Sequence, residues 1–534
     1  MEFLMGLENS TQVIISGGGP VGMALAIELG QRGIEVLVLE KYPSIQMVPK
    51  GQNLSPRTME HFQVWGAEAE LRGARTVPLE FGIGGLTAYG TLLGEYHYDW
   101  LKRELVRPYY AADNERLPQY ATETVLRHRA SQISSITLIT GVEVTGAEQD
   151  GTGVTVSARK RDDGEVFQTR GVYAVGCDGG RSTLRESAEL PQTVRDHDKL
   201  MMLLVFQSEE LHQLLLSMHP GKSFFNVLHP DLEGYWLFFG RVDLSGEFFF
   251  HAPIPAGSDP ESFDFKAYVE RAVGTAIDID IRHRGFWDCR VAIADDYGHD
   301  RIFVSGDAAH NHPPYGGYGI NTGFEDARNL GWKLAASLQG WGGDALLASY
   351  DAERRPVFES TAEDFIEASI LNDRDFLAAY DPNSDKIAFQ AAWSGRALGA
   401  STEVGSYQPN YRGSSVVAGL QDGAAGAISE HLFKARPGYH LAPVPMPNGG
   451  NTYNLLSAGF TLIVLKESEA EQLFVDAAMS LSIPLEVARM SLDSALLSYE
   501  CSLILVRPDH FIAWCGDQIP NALEVLRMST GRME

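Results

Sequence analysis

Six residues near the start of the chain, Gly17-Gly18-Gly19-Pro20-Val21-Gly22, constrain its fold more than any other stretch. Thr11 to Ser16 before them (TQVIIS) is a short apolar run of strand type. After them MALAIELGQRG repeats at helical spacing and closes on Gly33. A second strand-like run, Ile34 to Leu39, ends at Glu40. G-x-G-x-x-G between strand and helix, with an acid about 20 positions on, is the pattern of a dinucleotide site. The glycines permit a tight turn and close approach of a pyrophosphate, and the helix start faces that phosphate. Gly17, Gly19, Pro20, Val21 and Gly22 are therefore cofactor-binding candidates. Glu40 can accept hydrogen bonds from ribose hydroxyls and disfavours a 2′-phosphate, leaving NAD or the ADP half of FAD. The bland alternative is a glycine-rich turn with no ligand, and the register of strand, helix and acid speaks against it.

Two later stretches repeat the logic of an acid at a strand end. Val172 to Gly176 (VYAVG) leads into Cys177-Asp178-Gly179-Gly180-Arg181-Ser182 and then helical TLRESA. Alone, Asp178 reads as a turn-former or helix cap; between the other two motifs it reads as cofactor-binding, with Gly179. Arg301 to Leu334, RIFVSGDAAHNHPPYGGYGINTGFEDARNLGWKL, offers a strand (Ile302 to Val304), the carboxylate of Asp307, a Pro/Gly loop and a helix. Such a loop lets backbone N–H groups approach a flat ligand, and a helix start behind it favours negative charge.

The remaining pattern places these motifs. GQNLSPRTMEHFQVWGAEAELR reads as a loop feeding a helix that Ser55 or Thr58 caps, with Arg57 either solvated or reaching a phosphate. Leu117-Pro118-Gln119 precedes another helical run. Residues 137–145 and 153–160 alternate as strands, expected as a small sheet over the adenine. Between about 190 and 290 lie aromatic-rich alternating stretches (LMMLLVF, SFFNVLHP, EGYWLFFGRVDL, EFFFHAPI), the pattern of an antiparallel sheet forming a pocket wall. Within it Tyr235, His229 and His251 are candidate catalytic groups and Arg241 a candidate substrate contact, although each residue type is commonest as an ordinary strand position. Residues 376–405 are polar and small, which predicts a linker. From about 406, FTLIVL and SLILV flank a helical stretch, which predicts a small α/β domain.

Composition excludes some partners. Lys and Arg total 43 against 70 Asp and Glu, a net charge of −27, which argues against nucleic acid and anionic membranes as partners. Cys177, Cys289, Cys501 and Cys515 are scattered without C-x-x-C, so neither a disulfide nor a metal framework is predicted and a reducing, cytoplasmic setting is expected. MEFLMGLENS is too short and acidic for a signal peptide, and no apolar run of about 18 residues appears.

Taken in order, Gly17–Gly22 with Glu40, Asp178-Gly179 and Gly306-Asp307 resemble the single-component, FAD-dependent aromatic hydroxylases (group A flavoprotein monooxygenases of the 4-hydroxybenzoate and phenol hydroxylase type). GDAAHNHPPYGGYGINTGFEDARNLGWKL matches that family's third motif almost throughout; VGCDGGRSTLRE departs mainly at Cys177, where Ala is common. The resemblance covers roughly residues 10 to 375, and YRGSSVV and SLILVRPDHFIAW resemble the thioredoxin-like C-terminal domain of larger members. It implies an α/β protein: a Rossmann-like FAD-binding domain (1–188 and 293–375), an inserted antiparallel substrate domain (189–292), a linker (376–405) and a thioredoxin-like domain (406–534) used for packing or oligomer contact, a homodimer among the options. It further implies that Gln52, Arg57 and Gln119 contact FAD, that Asp307 holds the ribityl or pyrophosphate stretch, and that Pro314 lies by the isoalloxazine. Gly317, Gly319, Ile320 and Asn321 would offer backbone N–H groups to the flavin, and Tyr315 and Tyr318 would see substrate. The activity implied is hydroxylation of a phenolic or hydroxylated heteroaromatic ring with O2 and NADH or NADPH, through a flavin 4a-hydroperoxide. Epoxidation, Baeyer–Villiger insertion and a non-catalytic FAD scaffold are the alternatives.

Overall fold

The computed structural model describes residues 10–81, 83–100, 102–255, 257–419, 423–447, 449–466, 469–490, 493–518 and 521–532. Two large sheets carry the site. In the first, parallel strands run in the spatial order Ile302–Val304, Val166–Gly176, Thr11–Ser16, Val36–Glu40 and Ile136–Thr140. Their near-continuous apolar runs follow from burial on both faces: Val13, Ile14, Ile15, Val38, Ala174 and Val304 are all inaccessible. Helices Pro20–Gly30 and Gly319–Leu338 cover one face. Glu40 closes its strand, and Asp178 and Asp307 follow strands that run parallel to it. All three acids therefore emerge at one edge of the sheet, at the carboxyl ends of the strands, where open α/β sheets bind ligands.

The strands expected as a small sheet over the adenine extend this one. Val142–Asp150 and Gly153–Lys160 form a hairpin that pairs antiparallel with the first half of Val166–Gly176. One chain segment this long can serve both a parallel and an antiparallel neighbour at different points along its length.

The second sheet runs His310–Asn311, Asp280–Ala294, Gln192–Gln207, Glu247–Pro253, Trp236–Arg241, Lys222–Leu228, Gly84–Tyr89 and His97–Trp100. All neighbours are antiparallel except Lys222–Leu228 with Gly84–Tyr89. It therefore reaches beyond residues 189–292, borrowing two strands from before and one from after. Its outer face packs Phe206, Phe225, Phe239 and Phe250 against helices Glu209–Met218 and Phe265–Val273. The alternation of strands turns Phe224, Phe238, Phe249 and His251 to the other face, towards the first sheet.

The stretch 376–405, expected as a linker, contains most of a 21-residue helix, Lys386–Ser406. The Asp385 carboxylate caps it by accepting from the Ile387 and Ala388 N–H groups at 3.1 and 3.0 Å. Only Phe389, Trp393 and Val404 of this helix are buried, so its apolar stripe is thin and its composition looks like a loop.

The C-terminal unit is a four-stranded sheet, in the order Leu485–Arg489, Phe460–Val464, Leu503–Val506 and Ile512–Gly516. The first pair is parallel across helix Ala470–Leu481 and the others antiparallel. Its turn Arg507-Pro508-Asp509-His510 enters the first unit. Buried Arg507 donates to both Glu353 oxygens at 2.6 and 2.8 Å, and Lys333 reaches the same carboxylate at 2.7 Å. Burial alone would raise the Glu353 carboxyl; Arg507 and Lys333 outweigh it and hold the group well below its ordinary value. Arg328, on helix Gly319–Leu338, donates to the Pro508 carbonyl. Among the described residues no helix is long and apolar enough to cross a membrane.

Candidate active site

The three acids open onto a trough made of two adjoining cavities, of about 450 and 340 Å³, that share Gly19, Lys50, Gln119 and Cys177. At the far end Glu40 accepts from the Gly18 N–H at 2.6 Å and the Tyr42 N–H at 2.8 Å. Its carboxylate is thereby fixed at the rim of the larger cavity. The turn before it needs glycine. Gly17 has φ +102°, and a Cβ there would meet the Cys177 carbonyl oxygen at 2.4 Å. A Cβ on Gly22 would meet the Gly17 carbonyl oxygen at 2.0 Å, so Gly22 serves the close packing of helix on turn and does not itself line the trough.

Asp178 lies midway. Its Oδ2 accepts from the Ser16 hydroxyl at 3.0 Å and the Thr183 N–H at 3.1 Å, whereas its buried Oδ1 has no partner. Burial raises its carboxyl pKa against the hydrogen bonds from Ser182 and Ser16. An orphaned carboxylate oxygen beside the trough suits a donor from a polar ligand. Asp307 opens into the smaller cavity, and the protein enclosing it raises its pKa against the pull of His310 and Lys50.

The smaller cavity has two unlike walls. One is the loop: Pro314, Gly316, Gly317, Gly319 and Ile320, with helix Gly319–Leu338 starting behind it, and Gln52, Gln119, Gly179, Pro20 and Val21 adjoining. The other is the sheet: Phe224, Phe238, Phe249, Trp100 and His251. His251 stacks on Phe238 with centroids 6.2 Å apart and meets Trp287 edge-on at 5.3 Å. Burial, with Lys50 nearby, pushes its pKa down to about 3, so near neutral pH it is an uncharged imidazole with an unpartnered Nδ1. His312 on the loop side is similar: burial takes it down to about 4, Nδ1 bonds the Pro313 carbonyl at 2.5 Å, and Nε2 is left without a partner.

Several expected residues lie elsewhere. Arg57 is not on the trough; its guanidinium is bound by Glu325 (2.9 and 3.1 Å), Glu60 (3.0 Å) and the Asp509 carbonyl (2.6 Å) behind the loop. The Asn321 side chain also turns away. It accepts from the Ser55 N–H and the Thr58 hydroxyl (2.8 and 2.7 Å) and donates to the Asn53 and Gly317 carbonyls, tying the loop to its neighbour. Tyr235 is buried with its hydroxyl on His197 at 2.8 Å, and the Tyr315 hydroxyl accepts from the Trp236 N–H at 3.0 Å. Burial pushes Tyr235 up to about 12, against the role of a base. His229 caps the turn Pro230–Leu232. Arg241 is buried against His212 at 2.8 Å. Tyr318 faces a separate small cavity behind the loop, its hydroxyl on Glu403 at 3.2 Å. Ser55, by contrast, caps its helix as expected.

The sequence reading expected the aromatic wall but did not name Phe224, Phe238, Phe249 or Trp100 in it, and it missed Lys50, Asn53 and His312. Strand parity counted from His251 would have found Phe249, two residues away; Trp100 comes from a strand too distant in sequence to be signalled.

The family described as FAD binding domain matches residues 10–364. The chain belongs to the FAD-dependent monooxygenases. It is 30% identical to the FAD-dependent monooxygenase apdD of Emericella nidulans, over 97% of this chain and 90% of that one. It is 29% identical to a 4-methyl-5-nitrocatechol 5-monooxygenase of a Burkholderia species, over 94% and 92% respectively. Among solved structures, the rebeccamycin biosynthetic enzyme RebC with reduced flavin superposes with a TM-score of 0.85 at 26% identity, covering 98% of this chain and 99% of that one. The monooxygenase takes FAD as its cofactor, and the trough fits it: a glycine turn and acid at one end, an orphaned carboxylate oxygen midway, and a loop with a helix start at the other.

Proposed function

We propose that this monooxygenase hydroxylates a phenolic or hydroxylated heteroaromatic ring, using O2 and NADH or NADPH. The observation that carries the reading is the two-walled cavity, a backbone-rich loop facing an aromatic sheet at the ring end of the cofactor trough. In this reading Glu40 holds the adenosine ribose, Asp178 and Asp307 the middle of FAD, and the loop Pro314 to Ile320 its ring. FAD, when bound and reduced, supplies the activated oxygen. The helix start behind Gly319 favours negative charge on the ring. Phe224, Phe238, Phe249 and Trp100 pack against one side of a flat substrate and exclude water, which protects a reactive site from side reactions. His251, uncharged, hydrogen-bonds the substrate oxygen and orients it. Outside the site, we propose a cytoplasmic protein whose C-terminal unit is thioredoxin-like and serves packing or a homodimer contact.

The test is to incubate purified, FAD-loaded protein with NADH or NADPH and a panel of phenols. Substrate-stimulated coenzyme oxidation with a product one oxygen heavier is expected. A yellow protein whose coenzyme oxidation no aromatic stimulates would refute the reading.

A further inference from the structure

Behind the sheet wall lies a charge that the functional reading does not use. Arg116 is 2% exposed. It sits on the short strand Glu115–Arg116, paired with Asn53–Leu54. One nitrogen, Nη2, donates to the Gln52 side-chain oxygen at 2.6 Å; Nε and Nη1 are buried with no partner. Its guanidinium lies over the Phe224 ring, 5.2 Å from the centroid. Gln52 and Phe224 both line the smaller cavity. Among the described residues no carboxylate stands within ion-pair distance. The neighbouring Glu115 is engaged by Arg75 (2.8 Å) and Arg72 (3.0 Å).

A buried guanidinium without a counter-ion is costly, and a guanidinium can only donate. The group that would compensate it is an anion on the other side of Phe224 and Gln52. Burial, and then the charge of Arg241, bring the Arg116 pKa down to about 9, and Tyr120, Asp243 and Glu115 pull weakly the other way, so it remains a cation near neutral pH. Arg241 is itself buried over Phe248, at 5.4 Å, on the sheet's outer face, where it donates to His212 and the Lys222 carbonyl. The titratable groups facing the cavity itself are Lys50, Asp307, His251 and His312. Of these, the two histidines resist protonation, and Asp307 lies on the loop side.

We propose that Arg116 is a positioning residue that makes the cavity bind its aromatic substrate as the phenolate, acting across Phe224 and through Gln52. This rests on the hydroxylase reading. On binding, the substrate O–H bond breaks, the electron pair stays on oxygen, and the proton passes to bulk water. The ring gains nucleophilicity with no protein base consumed.

The test uses the FAD-loaded enzyme without reductant and 4-nitrocatechol, whose phenol and phenolate forms absorb differently. Difference spectra across pH give the ionisation of the bound molecule. A bound pKa about one unit or more below that of free 4-nitrocatechol is expected. Arg116→Met should bring it back to the free value, and Arg116→Lys should restore the shift. If Arg116→Met fails to fold, Gln52→Glu decides, because it places a carboxylate against the same guanidinium and should abolish the shift. Equal bound pKa values in wild type and variant would overturn the inference and leave the hydroxylase reading standing. A changed flavin reduction potential with an unchanged phenol pKa would assign the charge to the cofactor and overturn it as well. Failure of 4-nitrocatechol and of every phenol in the panel to bind would overturn both.

Discussion

The two walls of the smaller cavity are built by different means. The loop wall works through backbone: Gly316, Gly317 and Gly319 contribute no side-chain bulk, and its stiffness comes from behind, from Asn321, Arg57 and Glu325. The sheet wall works through side chains: Phe224, Phe238, Phe249 and His251 alternate with core residues on the same strands. A backbone wall can serve one invariant cofactor, and changes of residue hardly alter it. A side-chain wall can be re-cut without disturbing the sheet's hydrogen bonds. Under the proposed function, cofactor retention would fall to the first wall and substrate choice to the second.

The contrast can be broken most readily at Asp307. Asp307→Ala should cost more than tenfold in FAD affinity, read as flavin absorbance relative to protein after gel filtration; full flavin content in that variant would refute the division. Next in size is Phe238→Ala, which should lower kcat/KM for small phenols by about 10–100-fold while flavin content stays at the wild-type level, since losing the apolar contact of one half-buried aromatic ring costs about 1.5–3 kcal/mol. Loss of flavin from this variant would show that the sheet, too, holds the cofactor. His251→Phe should have a smaller effect, a rise in KM of about tenfold, and should leave the acid limb of the pH–rate profile where it is. His251 is already neutral above about pH 3, so it does not titrate in the working range.

Acid sharpens the same contrast through stability. Burial opposes ionisation of Glu325, yet Arg57 and His61 hold its carboxyl well below 4.5, and Glu353 is held low by Arg507 and Lys333. For groups whose folded pKa is depressed, stability is present above the unfolded pKa and is lost as pH falls through the folded one. Melting temperature and flavin retention should therefore decline together as the pH drops below about 4.5. Retention that persists after the melting temperature falls would separate the loop from its buried anchors.

What could be read in the sequence follows the same line. Glu40, Asp178 and Asp307 were legible because each is a local event, an acid at the end of an apolar run with glycines beside it. Arg57 was misplaced for the opposite reason. Its partner Glu325 is 268 residues away, and nothing near Arg57 says that its charge is already taken. Tyr235 and Tyr315 were misjudged because strand and loop residues can face either way, and the pairing that decides their direction lies outside their own segments. His251 was one of several equal candidates until its strand was registered against Phe238. Lys386–Ser406 was hidden because a helix that buries three side chains hardly differs in composition from a loop.

The turn from Arg507 to His510 has a consequence in time. It lies late in the chain, yet it carries the counter-charge for Glu353 and grips Arg57 and Arg328 at the back of the flavin loop. During synthesis the glycine turn, the strands and the loop all emerge before it, and Glu353 has Lys333 and Asn329 but not Arg507 until the C-terminal sheet arrives. The cofactor half should therefore mature only once this turn has emerged: nascent chains arrested before residue 507 are expected to stay protease-sensitive and colourless, and chains that include the turn to become resistant and yellow together.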